Sequence, residues 1–181
     1  MYHVWARGNR REPLFHRDGD RLWYLDRFGQ VATTLGWRCL AYCLMTNHVH
    51  HVIELTEPNL GRGIAAIHGP YARLFNTDHQ TGGGHLFEKR YGATRAPDTD
   101  ALIYLVAYVV LNPVRAGLCT RPQDHHWSSY AATAGIAPGP RWLDSARTHS
   151  RFPAAPHGFV ETIEAIQRLA TTAPIATPTA V

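Results

Sequence analysis

The sequence predicts an α+β fold, in which one antiparallel sheet carries helices on one face. The chain has 181 residues, of which 45% are apolar, so it has the length of one domain and can bury a core. Apolar residues recur at helical spacing in some segments and alternate with polar residues in others. The segments follow in the order strand, helix, strand, strand, helix, strand, helix, which is typical of a ferredoxin-like β-α-β-β-α-β sheet.

Residues typical of turns and helix ends mark the boundaries of the predicted elements in the first half of the chain. The first strand runs into a basic turn, Arg7-Gly8-Asn9-Arg10-Arg11. Apolar residues three and four apart predict a helix, and Gly36 stands where that helix would end. The next two strands flank the turn Met45-Thr46-Asn47, which predicts a hairpin. The expected elements are strand 2–6, helix 18–35, strand 37–44 and strand 48–55.

The second half contains two helices and one strand, and its composition then changes. Pro70 should kink or interrupt the second helix, and Pro113 should limit the third. From Pro138 onwards Pro, Ala and Thr prevail, and residues 171–181 have the composition of a loose tail. We expect a domain over residues 1–135 and a partly helical C-terminal extension over 136–181. The expected elements are helix 59–78, strand 85–95, helix 98–111, a short helix over 127–134 and an amphipathic stretch over 159–169.

Composition and charge exclude several classes of protein. No run approaches the ~20 apolar residues of a membrane helix, and residues 1–30 lack the apolar core of a signal peptide. The three cysteines form neither a disulfide framework nor a C-x-x-C zinc site, which indicates a reduced, cytoplasmic protein.

The net charge of +4 arises within residues 1–97, and 17 of the 18 basic residues are arginine, whose planar fork suits phosphate. A nucleic-acid partner and a GC-rich genome both account for this bias.

A histidine motif, Asn47-His48-Val49-His50-His51, is the strongest chemical signal. Side chains alternate along a strand, so His48 and His50 should point to one face and His51 to the other. Two imidazoles on one face can ligate one divalent metal, provided that a third ligand comes from elsewhere. The alternative is a polar strand with exposed histidines, since the chain contains 12 histidines.

The third predicted helix carries a second signal. Tyr104, Tyr108 and Asn112 follow at four-residue steps and therefore share one face. At the helix end the amide oxygen of Asn112 could turn toward a metal, with Tyr108 one turn back. A phenolate that attacks a phosphodiester would fit this arrangement, provided that a metal or a base assists a phenol whose pKa is about 10. The alternative is that both tyrosines pack in the core.

Two groups of basic residues could contact nucleic acid. The first group lies in the turn after the first strand and comprises Arg7, Arg10 and Arg11. Such a turn could clamp phosphates or read guanine, or it could simply be solvated. The second group lies on the predicted strand 85–95 and comprises Lys89, Arg90 and Arg95. Aromatic residues are interleaved with it, as in single-strand binding surfaces, and we expect these aromatics in the core.

Together these residues resemble the IS200-like single-tyrosine transposases of the HUH superfamily, and among them the REP-associated tyrosine transposases. The pair M-x-N-H-V-H and Y-x-x-x-N-P-V-R-A-G-L is highly specific, and the resemblance covers roughly residues 2–131 in family order. The matching segments are YHVWARGNRR (2–11), AYCLMTNHVHHVIEL (41–55), LGRGIAAIHGPYARLFN (60–76), GHLFEKRYGA (84–93), YVVLNPVRAGL (108–118) and WSSY (127–130).

The resemblance implies an HUH-type endonuclease fold and a role for each motif. It implies that His48 and His50 hold Mg²⁺ or Mn²⁺, that Asn112 is the third ligand and that Tyr108 is the nucleophile. The implied reaction is cleavage and religation of single-stranded DNA at a hairpin formed by an imperfect palindrome, through a 5′-phosphotyrosine. The resemblance also implies a bacterial cytoplasmic protein that acts on DNA as a monomer or a homodimer.

Three other functions remain as alternatives. A non-catalytic hairpin-binding protein derived from a transposase would keep the fold, but the intact tyrosine, histidines and asparagine argue against this loss. A rolling-circle-type nickase shares the HUH chemistry but is usually longer. An RNA-binding module would need exposed aromatics in an RNP-like pattern, which these strands lack.

Overall fold

The computed structural model describes residues 1–153 and 158–172, and its framework is one four-stranded antiparallel sheet. The strands are β1 (Tyr2–Arg7), β2 (Arg38–Leu44), β3 (His48–Glu54) and β4 (Gly92–Arg95). They pair in the order β2-β3-β1-β4, so β3 and β1 are the central strands. β3 follows β2 through a tight turn, which confirms the predicted hairpin.

Helices connect and cover these strands. They are α1 (Asp18–Thr34), α2 (Leu60–Asp78), α3 (Thr99–Val110), α4 (Asn112–Arg115), α5 (Tyr130–Thr133), α6 (Ser145–His149) and α7 (Gly158–Thr172). Short 3-10 turns lie at Asn9–Arg11 and Pro122–Asp124. The order β1-α1-β2-β3-α2-β4 is the predicted one, and α1 and α2 pack side by side, so the predicted fold class is confirmed. None of the described helices combines the length and the apolar composition that crossing a bilayer requires.

The sheet separates two hydrophobic cores, because the side chains of each strand alternate between its faces. Val49 and Ile53 of β3 enter a core with α1 and α2, whereas Val52 enters a second core with α3 and α7. The helices of the predicted β-α-β-β-α-β unit thus share one face, and α3 and α7 cover the other. α3 has apolar residues on most of its surface, which suits a helix packed between the sheet and α7.

The C-terminal residues extend the second core. Phe159, Ile163 and Ile166 of α7 are buried there, which confirms the predicted amphipathic stretch over 159–169. The short helix expected over 127–134 is present only as the single turn α5. Of the expected tail over 171–181, the first two residues end α7 and the others lie outside the described residues. The domain boundary at residue 135 stays a prediction.

Pro70 was expected to kink or interrupt α2, and the interruption is wrong. α2 continues through this residue, although proline cannot donate a hydrogen bond to the carbonyl four residues earlier. That carbonyl belongs to Ala66, and the Nε–H of Arg27 on α1 donates to it at 3.0 Å. A side chain of the neighbouring helix therefore replaces the missing backbone donor.

The strand expected over 85–95 begins only at Gly92. The register that pairs Trp5 with Gly92 would place Arg90 beside Arg7, but the Glu88 N–H donates to the Arg7 carbonyl instead. The intervening residues therefore bulge out of the sheet. A side chain at position 92 would overlap the Trp5 ring, so the pairing at this point depends on glycine.

A pair of substitutions in α2 tests the packing of the first core. Gly63→Ala should lower the free energy of unfolding by about 1–3 kcal/mol, because the added methyl would overlap the buried Trp37 ring. Gly69→Ala is the control, since its new methyl would lie 3.7 Å from a terminal nitrogen of Arg73. It should be neutral or stabilising by up to about 1 kcal/mol, as alanine favours a helix over glycine. Denaturant unfolding measures both, and a Gly63→Ala protein as stable as the wild type would contradict this packing.

Candidate functional site

Two histidines of β3 project toward α3, and their neighbour projects the opposite way. His48 and His50 lie on the face of the sheet that α3 crosses, with ring centroids 4.9 Å apart. His51 enters the first core, where its ring stacks on Phe28 at 4.2 Å and its Nε2 lies 3.3 Å from the Tyr24 hydroxyl. The alternation expected from the strand period is therefore present, and His51 is part of the core.

Asn112 lies between the two imidazoles. It is the first residue of the short helix α4, which follows α3 after Leu111, and only 9% of it is exposed. Its Oδ1 is 3.3 Å from His48 Nε2, and its Nδ2 is 3.4 Å from His50 Nε2. Residues 62 and 64 positions apart in the sequence thus meet in one cluster, because the end of α3 lies over β3.

The outer nitrogens of both imidazoles are also engaged. Asn47 Nδ2 donates to the Arg11 carbonyl at 2.8 Å, which turns its Oδ1 toward His48 Nδ1 at 2.7 Å. His48 Nδ1 must therefore carry the hydrogen, and its Nε2 presents a lone pair to Asn112. His50 Nδ1 lies 2.9 Å from Nε2 of the buried His3. Partners of this kind hold an imidazole in one orientation, with the remaining nitrogen available as a ligand.

Burial keeps the histidines of this cluster neutral. Desolvation lowers the pKa of His48, and it lowers the pKa of His50 well below its usual value. The positive charge of Arg7 acts in the same direction on both groups. Desolvation lowers the pKa of His3 to about 4. At neutral pH these imidazoles therefore offer lone pairs, which is the form that binds a metal.

The donor set of the cluster fits a divalent cation. Where Asn112 Oδ1 faces His48 Nε2, two lone-pair atoms point at each other, and a cation between them would bind both. His50 Nε2 would be a third ligand. The described residues include no group of three or more His, Cys, Asp or Glu side chains placed to hold a metal. A three-ligand protein site here would therefore require the Asn112 amide.

Tyr108 lies beside this cluster on α3. Its ring meets His50 edge-on with centroids 5.6 Å apart, and it meets His3 at 5.5 Å. The guanidinium of Arg115 covers the ring at 4.9 Å from its centroid. Tyr104, one turn earlier on the same helix, is 59% exposed and has no such neighbours among its described contacts. Of the two predicted tyrosines, Tyr108 is the one next to the imidazoles.

The basic turn after β1 lies at the His48 end of this site. Arg7 is paired with His48 across the β1–β3 ladder, and Arg7, Arg10 and Arg11 are all exposed. Arg10 and Arg11 both have positive φ angles of 54° and 64°, which is uncommon for residues other than glycine. The bond from Asn47 to the Arg11 carbonyl ties this turn to the histidine motif.

The second basic group is divided between two places. Lys89 and Arg90 line a cavity against α2, on the side of the sheet away from His48 and His50. Arg95 lines a different cavity, which also contains Tyr108. Phe87 stacks on His68 at 4.1 Å, so this aromatic residue belongs to the first core, as expected.

Sequence reasoning missed two residues of the site. His3 contacts both His50 and Tyr108, and Arg115 contacts Tyr108. The alternation of β1 could have placed His3 on one face with Trp5, but only the pairing of β1 with β3 brings it to His50. Arg115 follows Tyr108 by seven residues, which is the spacing of two helical turns. This spacing could have indicated that the two side chains lie near each other.

Comparisons with known proteins bear on the family and the fold. A family model described as "Transposase IS200 like" matches residues 1–111, which is more than half of the chain. No curated protein matches the chain.

Two solved structures are similar to this chain. One, described as a REP-associated tyrosine transposase bound to a REP hairpin, is 15% identical, with 87% of this chain and 89% of that chain covered and a TM-score of 0.63. At this identity the likeness shows the fold. A transposase structure from Deinococcus radiodurans R1 is 25% identical, with 57% of this chain and 84% of that chain covered and a TM-score of 0.41.

Metal titration tests the cluster of His48, His50 and Asn112. His48→Ala should weaken Mn²⁺ binding by more than about tenfold, since even the partners of metal ligands contribute that much. The exposed His126 provides a matched control, and His126→Ala should bind Mn²⁺ as the wild type does. Isothermal titration calorimetry measures both affinities. Equal affinities for His48→Ala and the wild type would exclude His48 as a ligand.

Proposed function

The chain belongs to the family of IS200-like transposases, and we propose that it cleaves and rejoins single-stranded DNA that is folded into a palindromic hairpin. We further propose that the reaction is metal-dependent and passes through a 5′-phosphotyrosine. The observation that carries the proposal is the position of Tyr108, whose ring lies against His50 at the edge of a cluster that can hold a cation. A nucleophile beside a cation site on a basic protein suits phosphodiester chemistry.

Tyr108 is the nucleophile in this proposal. Its hydroxyl oxygen attacks the scissile phosphorus and loses its proton, while the bond from phosphorus to the 3′ oxygen breaks. The leaving 3′ oxygen takes up a proton and becomes a free 3′-OH, and the 5′ end stays linked to the tyrosine. Another 3′-OH can reverse these steps, so that the strands are rejoined without an external energy source.

His48, His50 and Asn112 would hold Mg²⁺ or Mn²⁺. A bound divalent cation supplies positive charge that stabilises the developing charge on the phosphate oxygens. Asn47 and His3 keep the Nε2 atoms of the two imidazoles directed at Asn112. Tyr108 is held beside them by the stacked guanidinium of Arg115, which also adds positive charge near the phosphate.

The proposed substrate follows from charge and from the structural neighbour. The structure that shares this fold contains a REP hairpin, and this chain carries its whole net positive charge within residues 1–97. The exposed arginines of the basic turn, Arg7, Arg10 and Arg11, lie where a strand entering the site would pass His48. We propose that these arginines and Lys89, Arg90 and Arg95 contact DNA phosphates, in the cytoplasm of a bacterial cell.

The decisive measurement is a covalent adduct. Hairpin DNAs from a pool of imperfect palindromes, labelled at either end, are incubated with the protein and Mg²⁺. An adduct that retains the fragment 3′ of the cut supports the proposal. Hairpin binding without an adduct would instead indicate the non-catalytic alternative.

Tyr108→Phe should abolish the adduct and leave hairpin affinity and the free energy of unfolding nearly unchanged, because only one hydroxyl is lost. Tyr104→Phe removes the same atom one turn away, about 5.4 Å along the axis, and should still form the adduct. Denaturing gel electrophoresis with labelled DNA measures the adduct, and filter binding measures the affinity. An adduct that persists in Tyr108→Phe and disappears in Tyr104→Phe would reverse the assignment.

Salt dependence tests the basic turn. Hairpin affinity should fall steeply as salt rises, and Arg10→Ala or Arg11→Ala should reduce the slope of log affinity against log salt by about one per lost phosphate contact. Arg141→Ala is the control, because this exposed arginine lies in the part of the chain without excess positive charge. If the slopes of all three variants equal that of the wild type, Arg10 and Arg11 do not contact DNA phosphates.

A further inference from the structure

A cavity of about 300 Å³ opens beside Tyr108. It lies between the end of β4, the outer face of α3 and the helix α7. Tyr104 and Tyr108 contribute to the wall on α3, Arg95 contributes from β4, and Ile166 and Ala170 contribute from α7. Its volume is at the lower end of the range of about 300–1,000 Å³ that small-molecule sites have. It is therefore large enough for one planar ring system.

The lining combines two features that suit a nucleotide. Arg95 and Arg115 both line the cavity, and their positive charges favour a ligand that carries phosphates. The exposed ring of Tyr104 offers a surface on which a base can stack.

The cavity is continuous with the proposed catalytic residue, because Tyr108 forms part of its wall and also contacts His50. We propose that it receives an unpaired nucleobase of the DNA strand, from the nucleotide next to the scissile phosphate. This inference rests on the proposed function and extends it to the substrate. It also gives a role to α7, which lies beyond the residues that the family model matches.

In this arrangement α7 closes one side of a base-binding site. Ile166 is buried against α3 and fixes the helix, and Ala170 leaves room for the ligand. The base lies against Tyr104, and the flanking phosphates lie toward Arg95 and Arg115. Holding the nucleotide in this way positions the adjoining phosphate at Tyr108, which is the contribution that orientation makes to a displacement reaction.

This inference is tested by combining substitutions that fill the cavity with DNA that lacks one base, as in a double-mutant cycle. The substrate is a hairpin that the wild-type protein cleaves, either intact or with an abasic residue on the 5′ or the 3′ side of the cut. Ala101→Phe on α3 and Ala170→Phe on α7 fill the cavity from two different helices. Ala165→Phe is the matched control, since this half-exposed alanine of α7 does not line the cavity. The readout is kcat/KM for adduct formation, and circular dichroism checks that each variant is folded.

We expect the abasic residue at one of the two positions to lower kcat/KM of the wild type by about tenfold, as loss of one stacked base does. On intact DNA, kcat/KM of each filled variant should be lower than that of the wild type by a similar factor. When the same variant acts on the abasic DNA, its kcat/KM should fall by less than about a further twofold, because the two changes remove the same contact. Ala165→Phe should behave as the wild type. Since either filling variant could be unstable, Arg95→Gln at an exposed position provides a further test and should raise KM, whereas Arg62→Gln on α2 should not.

Three results would overturn the inference. Abasic DNA cleaved as well as intact DNA by the wild type excludes a bound base. If kcat/KM of the filled variants falls by a further tenfold on abasic DNA, the two effects are independent, and the base is recognised outside the cavity. In both cases the wild type still forms its adduct, so the proposed function stands. If the wild type forms no adduct on any hairpin, the proposed function fails and this inference fails with it.

Discussion

The register of β3 is the constraint on which the rest of the structure depends. This strand is paired on both sides, with β1 and β2, and both faces of the sheet are covered. A shift by one residue would place His51 toward α3 and send His50 into the core against Phe28. Val49 and Ile53 would also leave the first core, so the packing that holds the sheet and the arrangement of the imidazoles are maintained by the same register.

A chain of side-chain contacts then joins the separate elements of the site. The distances between successive partners lie between 2.7 and 3.4 Å. The chain runs from the Arg11 carbonyl through Asn47, His48, Asn112 and His50 to His3. Because these groups are mostly buried and neutral, their contacts with one another restrict the orientation of each side chain. Such a cluster is prepared to bind a cation without rearrangement of the backbone, and this favours the proposed cation site over a set of exposed histidines.

α3 connects this cluster with the second core. Its inward side packs on β2 and β3, and its end delivers Asn112 to the histidines. Its outer side carries Tyr104 and forms a cavity with α7. A helix packed on two sides has few alternative positions, which keeps Tyr108 close to His50 in the protein without DNA. In the C-terminal extension, α7 therefore packs against the helix that carries the proposed nucleophile, and it lines a cavity together with Tyr108.

The features that the sequence determined by itself are those with a local period. The strand period separated His48 and His50 from His51, the helical period placed Tyr104 and Tyr108 one turn apart on α3, and the amphipathic stretch over 159–169 is a helix. These patterns depend on residues close together in the chain. The order of elements was also sufficient for the fold class.

Only the tertiary structure decided which local features meet, because contacts between distant segments leave no period in the sequence. His3 reaches His50 through the pairing of β1 with β3, and Asn112 reaches both imidazoles because α3 crosses β3. Pro70 is tolerated because Arg27, 43 positions away, supplies the donor that proline lacks. The division of the sheet into two covered faces, and the cavity beside Tyr108, follow from where α3 and α7 pack. That choice is made by the fit of whole surfaces, which no single segment specifies.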